Sequence, residues 1–210
     1  MPPITFNTTG CLKSSEREKL AFIHQPDYQI GVWERNLPES LMTEVKSMLN
    51  SDWKEFRFSG TVNTLAQHLE SSRLEPGLQM DVLHLANWYS KLMEGLPLRL
   101  FLGKVEHSMC RRFHTDINDL RLLCTYQGPG TLWVRPDAIR KEKVAKGTNE
   151  EMIKDPSGVH QANPGEVLLI KGALHEQSTH GSTLHRSPAL EPGQVRLLLR
   201  IDTGGAFNFQ

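Results

Sequence analysis

The chain has 210 residues, with 24 Lys plus Arg against 24 Asp plus Glu, so its formal charge is zero. A neutral chain with no basic run gives no support for nucleic-acid binding by phosphate neutralisation, or for docking on an acidic membrane surface. The length suits one well-buried domain, and no apolar run in the sequence approaches a membrane span.

The cysteines Cys11, Cys110 and Cys124 are widely spaced and odd in number. Without a Cys-x-x-Cys they suggest neither a disulfide framework nor a thiolate zinc site. The start, Met1-Pro2-Pro3-Ile4-Thr5-Phe6, has neither a basic nor an apolar run. The expectation is a soluble, cytoplasmic protein without a signal peptide.

In chain order, residues 1 to about 20 read as irregular or loosely docked, and Gln29-Ile30-Gly31-Val32-Trp33 reads as a short strand. Pro38 suits a first helical turn, Leu41, Val45, Met48 and Leu49 recur at helical spacing, and Asn50-Ser51-Asp52 ends that helix. A second helix is predicted over 62–70, with Val62, Leu65, Ala66 and Leu69 on one face. A third, over about 78–94, is closed by Gly95 and Pro97. His68 and His84 fall in these helices and read as packing or surface residues.

From Leu98 the period changes to that of strands: 98–105, 120–126, 131–134, 166–171 and 195–202. Pro-Gly turns separate them, at Gly128-Pro129-Gly130, Asn163-Pro164-Gly165 and Glu191-Pro192-Gly193. No helix follows the first of these, so it is a turn and not a phosphate-binding loop. Residues 135–163 are polar and charged and read as an insertion or lid outside the core, with helical potential over 138–146. Residues 172–188 form a His-, Ser- and Thr-rich connection. Helices followed by about six or seven short strands predict a mainly β chain with α: an antiparallel barrel or jelly roll with N-terminal helices packed outside. Residues 1–97 would be the helical extension and 98–210 the barrel, together one structural domain.

The stretch that carries chemistry is Arg112-Phe113-His114-Thr115-Asp116. In a strand, His114 and Asp116 point to the same side. An imidazole and a carboxylate so placed are two-thirds of a 2-His-1-carboxylate triad, which holds Fe(II) and leaves open positions. His185, in Leu184-His185-Arg186-Ser187-Pro188, is the leading third ligand, and Arg196 follows after ten residues. His175 competes, since ten residues also separate it from Arg186. Context favours His185 with Arg196: an unpaired charge within an apolar strand is costly, whereas Arg186 precedes a Ser-Pro turn. His175 stays in reserve as ligand or substrate contact.

Plainer readings stand beside these. Asp116 would cap a turn beside a satisfied core His114, and His185 would pair with an Asp without metal. His160 and His180 read as loop residues facing water. Cys110 shares the His114 face of a regular strand, where a thiolate would favour zinc, but a buried structural cysteine is preferred. The four tryptophans read as core or rim residues.

His-x-Asp, a Pro-Gly turn into a later strand, a distal His and an Arg about ten residues beyond resemble the Fe(II)/2-oxoglutarate-dependent oxygenases of the double-stranded β-helix fold. The resemblance covers about residues 98–202. More closely, Arg112-Phe113-His114-Thr115-Asp116, the run from Leu120 to Trp133, and His185-Arg186-Ser187-Pro188 are similar to a bacterial family catalogued as a domain of unknown function. That likeness implies no established activity; the family's frequent place beside metal-handling GTPases implies a metal context.

The oxygenase resemblance implies a double-stranded β-helix, a jelly-roll or cupin-like barrel, and a non-haem Fe(II)/2-oxoglutarate-dependent dioxygenase of the hydroxylase type. His114, Asp116 and His185 would hold Fe(II). Arg196 would take the distal carboxylate of 2-oxoglutarate bidentately, and Thr125 or Tyr126 would add a hydrogen bond. A small-molecule or peptide substrate is expected, and neither nucleic acid nor membrane. The alternative is a cupin-like metal-binding protein for zinc or iron handling without oxygenase activity, with Arg196 and Arg200 as structural ion-pair residues. A barrel that binds a partner without metal is the residual option.

Overall fold

Alternation along the last strand organises the molecule: Leu197, Leu199 and Ile201 enter the main core, while Arg196, Leu198, Arg200 and Asp202 take the other face. A computed structural model describes residues 10–175 and 179–203. Its elements are β1 (Cys11–Ser14), β2 (Ile30–Trp33), α1 (Glu39–Asn50), β3 (Glu55–Gly60), α2 (Val62–Glu70), α3 (Pro76–Leu92), β4 (Leu98–Val105), β5 (Leu120–Gln127), β6 (Leu132–Val134), α4 (Asn149–Met152), β7 (Val159–Gln161), β8 (Val167–Lys171), β9 (His185–Arg186) and β10 (Arg196–Thr203). Among the described residues no helix is long and apolar enough to cross a membrane.

The fold is mainly β with helices. A seven-stranded mixed sheet runs in the order β1-β2-β8-β5-β10-β4-β3, and a three-stranded sheet in the order β7-β6-β9. Among the described residues only β1 and β2 pair in parallel in the large sheet. Helices α1, α2 and α3 cover one of its faces through Leu41, Val45, Leu65, Leu69, Leu78, Val82, Leu85 and Tyr89. Burying these aliphatic side chains contributes about 1.5–3 kcal/mol each. Tyr89 donates its hydroxyl to the Leu120 carbonyl at 2.6 Å, which fixes α3 on β5. The small sheet packs over the opposite face, where Trp133 and Ala162 meet Ile30, Val32, Phe101, Leu123, Leu168 and Leu198.

The structure departs from the sequence reading in five places. The segment before residue 98 is more than a helical extension, because β1, β2 and β3 complete the large sheet. Residues of β3 alternate, with Phe56 and Phe58 toward the helices and Glu55, Arg57 and Ser59 toward the other face. Among the described residues the sheet ends at β1 and β3, so its ladder does not close on itself. Residues 135–163 are not peripheral either: Ala138 and Met152 are fully buried with Phe113, Val134 and Leu184 in a third apolar cluster. The segment 138–146 folds as short 3-10 turns, Pro136–Ala138 and Lys141–Lys143, rather than as one helix. Finally, His160 lies on β7 and stacks on Trp133 at 4.5 Å instead of facing water from a loop. The expectations for residues 1–9, and the part of the 172–188 connection at 176–178, lie outside the described residues.

Candidate functional site

The His-x-Asp segment is not a regular strand; cross-chain pairing places its side chains instead. His114 and His185 form one antiparallel bridge, exchanging N–H to carbonyl bonds of 3.0 Å in both directions. His185 is set in turn by β9, which pairs with β6 through Trp133. Residues 139–153 hold the approach to His114: Phe113 donates its N–H to Asn149 Oδ1 at 2.8 Å, and Arg112 donates to the Val144 carbonyl at 2.7 Å. Beyond Asp116 the chain closes on the turn after β8, with Ala173 N–H donating to the Asp116 carbonyl and Gly172 N–H to the Asp119 carbonyl, both at 2.7 Å. A Cβ on Gly172 would stand 1.9 Å from Asn118 Oδ1, so only glycine lets these segments meet.

One donor atom each from His114, Asp116 and His185 lies within 4.8 Å of the others, and this is the one such group of three among the described residues. His185 Nε2 is 3.2 Å from Asp116 Oδ2, and His114 Nε2 is 3.7 Å from Asp116 Oδ1. Each Nδ1 is 3.1 Å from a backbone carbonyl, that of Arg112 for His114 and that of Thr183 for His185. A carbonyl only accepts, so each Nδ1 carries a proton and each Nε2 is the ring atom turned toward Asp116. Nε2 is thus the atom each imidazole would offer a metal.

Burial and neighbouring charge shift His114 and Asp116. Burial pulls the His114 imidazole below its ordinary pKa, and the neighbouring His185 adds to this. Burial raises the Asp116 carboxyl, but the His185 contact and the charges of His185, Arg121 and His114 outweigh it and bring it down to about 2. Arg121 bridges Asp116 and Asp202, and Asn118 donates to Asp202 Oδ1 at 3.0 Å. Asp116 is thus oriented from behind, and two nitrogens and one oxygen converge from a half-buried wall. This donor set fits a divalent metal of borderline character, and an open side remains toward a cavity lined by Leu123, Thr131, Arg196, Leu198 and Arg200.

Arg196 is 1% exposed and has no carboxylate partner among the described residues. Its guanidinium donates to the hydroxyls of Thr125 at 3.0 Å and Thr131 at 3.3 Å, while its Nε makes no hydrogen bond. Burial alone pushes its pKa down to about 10, so it remains cationic at neutral pH. Gly128, at φ +88°, makes room for it: a Cβ there would stand 2.9 Å from Arg196 Cγ.

The structure therefore brings His114, Asp116, His185, Arg196 and Thr125 to one cavity region, and leaves other expected residues out of it. Tyr126 lies on the helix face of β5, where its hydroxyl donates to Asp81 Oδ2 at 2.7 Å. Neighbours on a strand point oppositely, so Thr125 and Tyr126 cannot both reach Arg196. His175 sits apart, with Nε2 3.8 Å from Asp119 and its ring stacked on His24. Cys110 is exposed and lines the cavity mouth, contrary to the expected buried cysteine. Arg121 and Asp202 were missed. A charged residue inside the apolar run Leu120-Arg121-Leu122-Leu123 carried the same signal as Arg196 did.

The chain shares its fold with plant dioxygenases. A crystal structure of the dioxygenase for auxin oxidation from rice is 11% identical, with 92% of this chain and 82% of that chain covered at a TM-score of 0.54. The dioxygenase for auxin oxidation 1 from Arabidopsis thaliana, in its complex with 2-oxoglutarate, is 10% identical, with 94% and 92% covered at a TM-score of 0.53. No curated protein matches the sequence. The chain belongs to the family described as "Protein of unknown function (DUF1826)", whose model matches residues 14–202.

Proposed function

We propose that this protein is an Fe(II)/2-oxoglutarate-dependent oxygenase, its two sheets forming the halves of a double-stranded β-helix around the site. The observation that carries the reading is Arg196: a buried cation without a counter-ion among the described residues, in the cavity that His114 and His185 of the donor trio also line. An uncompensated buried charge is costly, and a ligand carboxylate would complete it. The shared fold with a dioxygenase bound to 2-oxoglutarate supports the same direction.

In this reading His114, Asp116 and His185 hold the metal. Fe(II) together with 2-oxoglutarate supplies the oxidising chemistry that no side chain of this protein has. The chain's own contribution is placement. The Nδ1 bonds to Arg112 and Thr183 hold the two imidazoles in one tautomer, and Arg121 holds the Asp116 carboxylate. Arg196 pairs with the distal carboxylate of 2-oxoglutarate, with the Thr125 and Thr131 hydroxyls fixing the guanidinium. Leu123 and Leu198 wall the cavity with apolar surface that limits water. A small molecule or peptide is the substrate class that such a cavity admits.

The test is anaerobic titration of the metal-stripped chain with Fe(II) and 2-oxoglutarate, followed by assay of succinate in air. Stoichiometric Fe(II), 2-oxoglutarate binding that depends on it, and slow succinate release are expected. Zinc retained against a chelator with no 2-oxoglutarate binding would instead establish the metal-handling alternative.

A further inference from the structure

A recess of about 500 Å³ opens between the end of α3, the 3-10 helix Arg17–His24 and the turn after β8. Leu92, Met93, Leu96 and Leu174 wall it, and Leu96 and Leu174 are 50% and 44% exposed. Two leucines turned to one recess present apolar surface that a bound molecule would remove from water. The remaining wall is polar. His24 and His175 stack there with ring centroids 5.8 Å apart, and the buried Nε2 of His24 makes no hydrogen bond.

The charge on this wall is negative. Asp119 and Glu94 line the recess, and among the described residues neither has a Lys or Arg within ion-pair distance. Asp119 Oδ1 meets His175 Nε2 at 3.8 Å, too long for a hydrogen bond. Glu94 stands at φ +52°, left-handed backbone that favours glycine, just past the C-terminal end of α3, which carries partial negative charge of its own. Lys171 lies behind the wall, 1% exposed, with Nζ donating to the Gln25 carbonyl at 2.8 Å. It is one buried cation set against Asp119, Asp27 and Glu94. Carboxylates over apolar walls suit a cation with an apolar body.

The recess shares a wall with the support of Asp116. Gly172, Ala173 and Leu174 donate their N–H groups to the carbonyls of Asp119, Asp116 and Asn118, at 2.7, 2.7 and 2.9 Å. Asp116 is thus held at one end of two paired turns whose other end, Asp119 with Leu174 and His175, faces the recess. A molecule that ties Asp119 to Leu174 restrains those turns.

We propose that this recess is a binding site for a small organic cation, a protonated amine on an apolar body, and that its occupancy tightens the paired turns that hold Asp116. Amine binding and its effect on the turns are independent of the oxygenase reading above.

Calorimetric titration of the chelator-stripped full chain with phenethylamine, at neutral pH and constant ionic strength, tests this against the anion phenylacetate and the neutral 2-phenylethanol. One equivalent of phenethylamine is expected to bind, about tenfold or more tightly than either comparison compound. Asp119→Asn and Glu94→Gln should each weaken it about tenfold, as for losing one charge-assisted contact. Asp52→Asn, the same charge change on an exposed side chain, should not. Bound phenethylamine should slow amide hydrogen exchange at Gly172, Ala173 and Leu174 by about fivefold, read by NMR, with or without metal. Where Mn(II) binds the trio, metal and amine should strengthen each other by the same factor. No amine binding, equal binding of the three compounds, affinity unchanged in both Asp119→Asn and Glu94→Gln, or unchanged exchange with the amine bound would overturn the proposal. Failure of Mn(II) to bind removes the metal reading instead, and the exchange measurement still decides this one.

Discussion

Replacing Arg196 by methionine should strengthen the ligand-free fold while removing its ligand. Arg196 is 1% exposed and burial brings its pKa down to about 10. A fall of that size corresponds to on the order of 3 kcal/mol of unfavourable charge burial. Methionine keeps most of the volume and avoids that cost, but leaves the Thr125 and Thr131 hydroxyls without their partner, at about 1 kcal/mol each. The net expectation is a gain of roughly 1 kcal/mol, in keeping with buried ion groups replaced by apolar ones. In a chain of this size that raises Tm by about 2–4 °C. Wild type should gain about 2.7 kcal/mol from 2-oxoglutarate at a hundred times its Kd in the presence of Mn(II), and Arg196→Met, binding at least tenfold more weakly, should gain about 1.4 kcal/mol or less. Urea unfolding of both proteins, with and without ligand, measures all four quantities. An Arg196→Met protein that is less stable when ligand-free, and stabilised by 2-oxoglutarate as much as wild type, would refute the reasoning.

Asp116→Ala should stay folded and lose the thermal stabilisation that added Mn(II) gives wild type; a wild-type response would mean that Asp116 only braces the turn. Arg121→Met should lower Mn(II) affinity by roughly 10–100-fold, the range for partners that orient a metal ligand, read by competition with a chelating dye. Lowering pH should weaken Mn(II) binding as His114 gains its proton below its ordinary pKa of about 6.5, with Asp116 contributing nothing until far lower pH. The folded Asp116 pKa is depressed, so its stabilising contribution is present above the unfolded value of about 3.9 and is lost as pH falls toward about 2. Asp116→Asn should therefore flatten the acid loss of stability in that window, as measured by urea midpoints. Gly172→Ala should destabilise by several kcal/mol, in the range of about 2–5 for severe core disruption, because its methyl meets Asn118; stability equal to wild type would show that the loop around Asp116 yields easily.

Much of the fold was legible because strands and helices wrote different periods into the chain. The α2 span 62–70 and the β4 span 98–105 follow directly from apolar spacing. β1 and β3 were missed for physical reasons. β1 has only four residues and pairs in parallel with β2 across the 3-10 helix Arg17–His24, a crossover that no local pattern encodes. β3 is mostly exposed on an edge, so its alternation is visible only in Phe56 and Phe58. His114 and Asp116 could be singled out by the His-x-Asp pattern, His185 by its place ahead of Arg196, and Arg196 as a charge within an apolar strand, where it is costly. The resemblance leaves Thr125 and Tyr126 as alternatives, and period-two alternation along β5 brings Thr125 to Arg196 and takes Tyr126 to the helix face. The bracing of Phe113 by residues 139–153 was hidden because a polar, charged composition concealed two fully buried side chains, Ala138 and Met152.

The central claim is that one cavity holds both a metal at His114, Asp116 and His185 and a carboxylate at Arg196. Calorimetric titration of 2-oxoglutarate into the anaerobic chain, with and without Fe(II), tests it most directly. One equivalent should bind tightly with Fe(II) and weakly without it. Asp116→Ala should abolish the Fe(II) dependence, and Arg196→Met should lower affinity at least tenfold with Fe(II) binding retained, which corresponds to losing a charge-assisted pair. Equal 2-oxoglutarate binding with and without Fe(II), or full affinity in Arg196→Met, would contradict it.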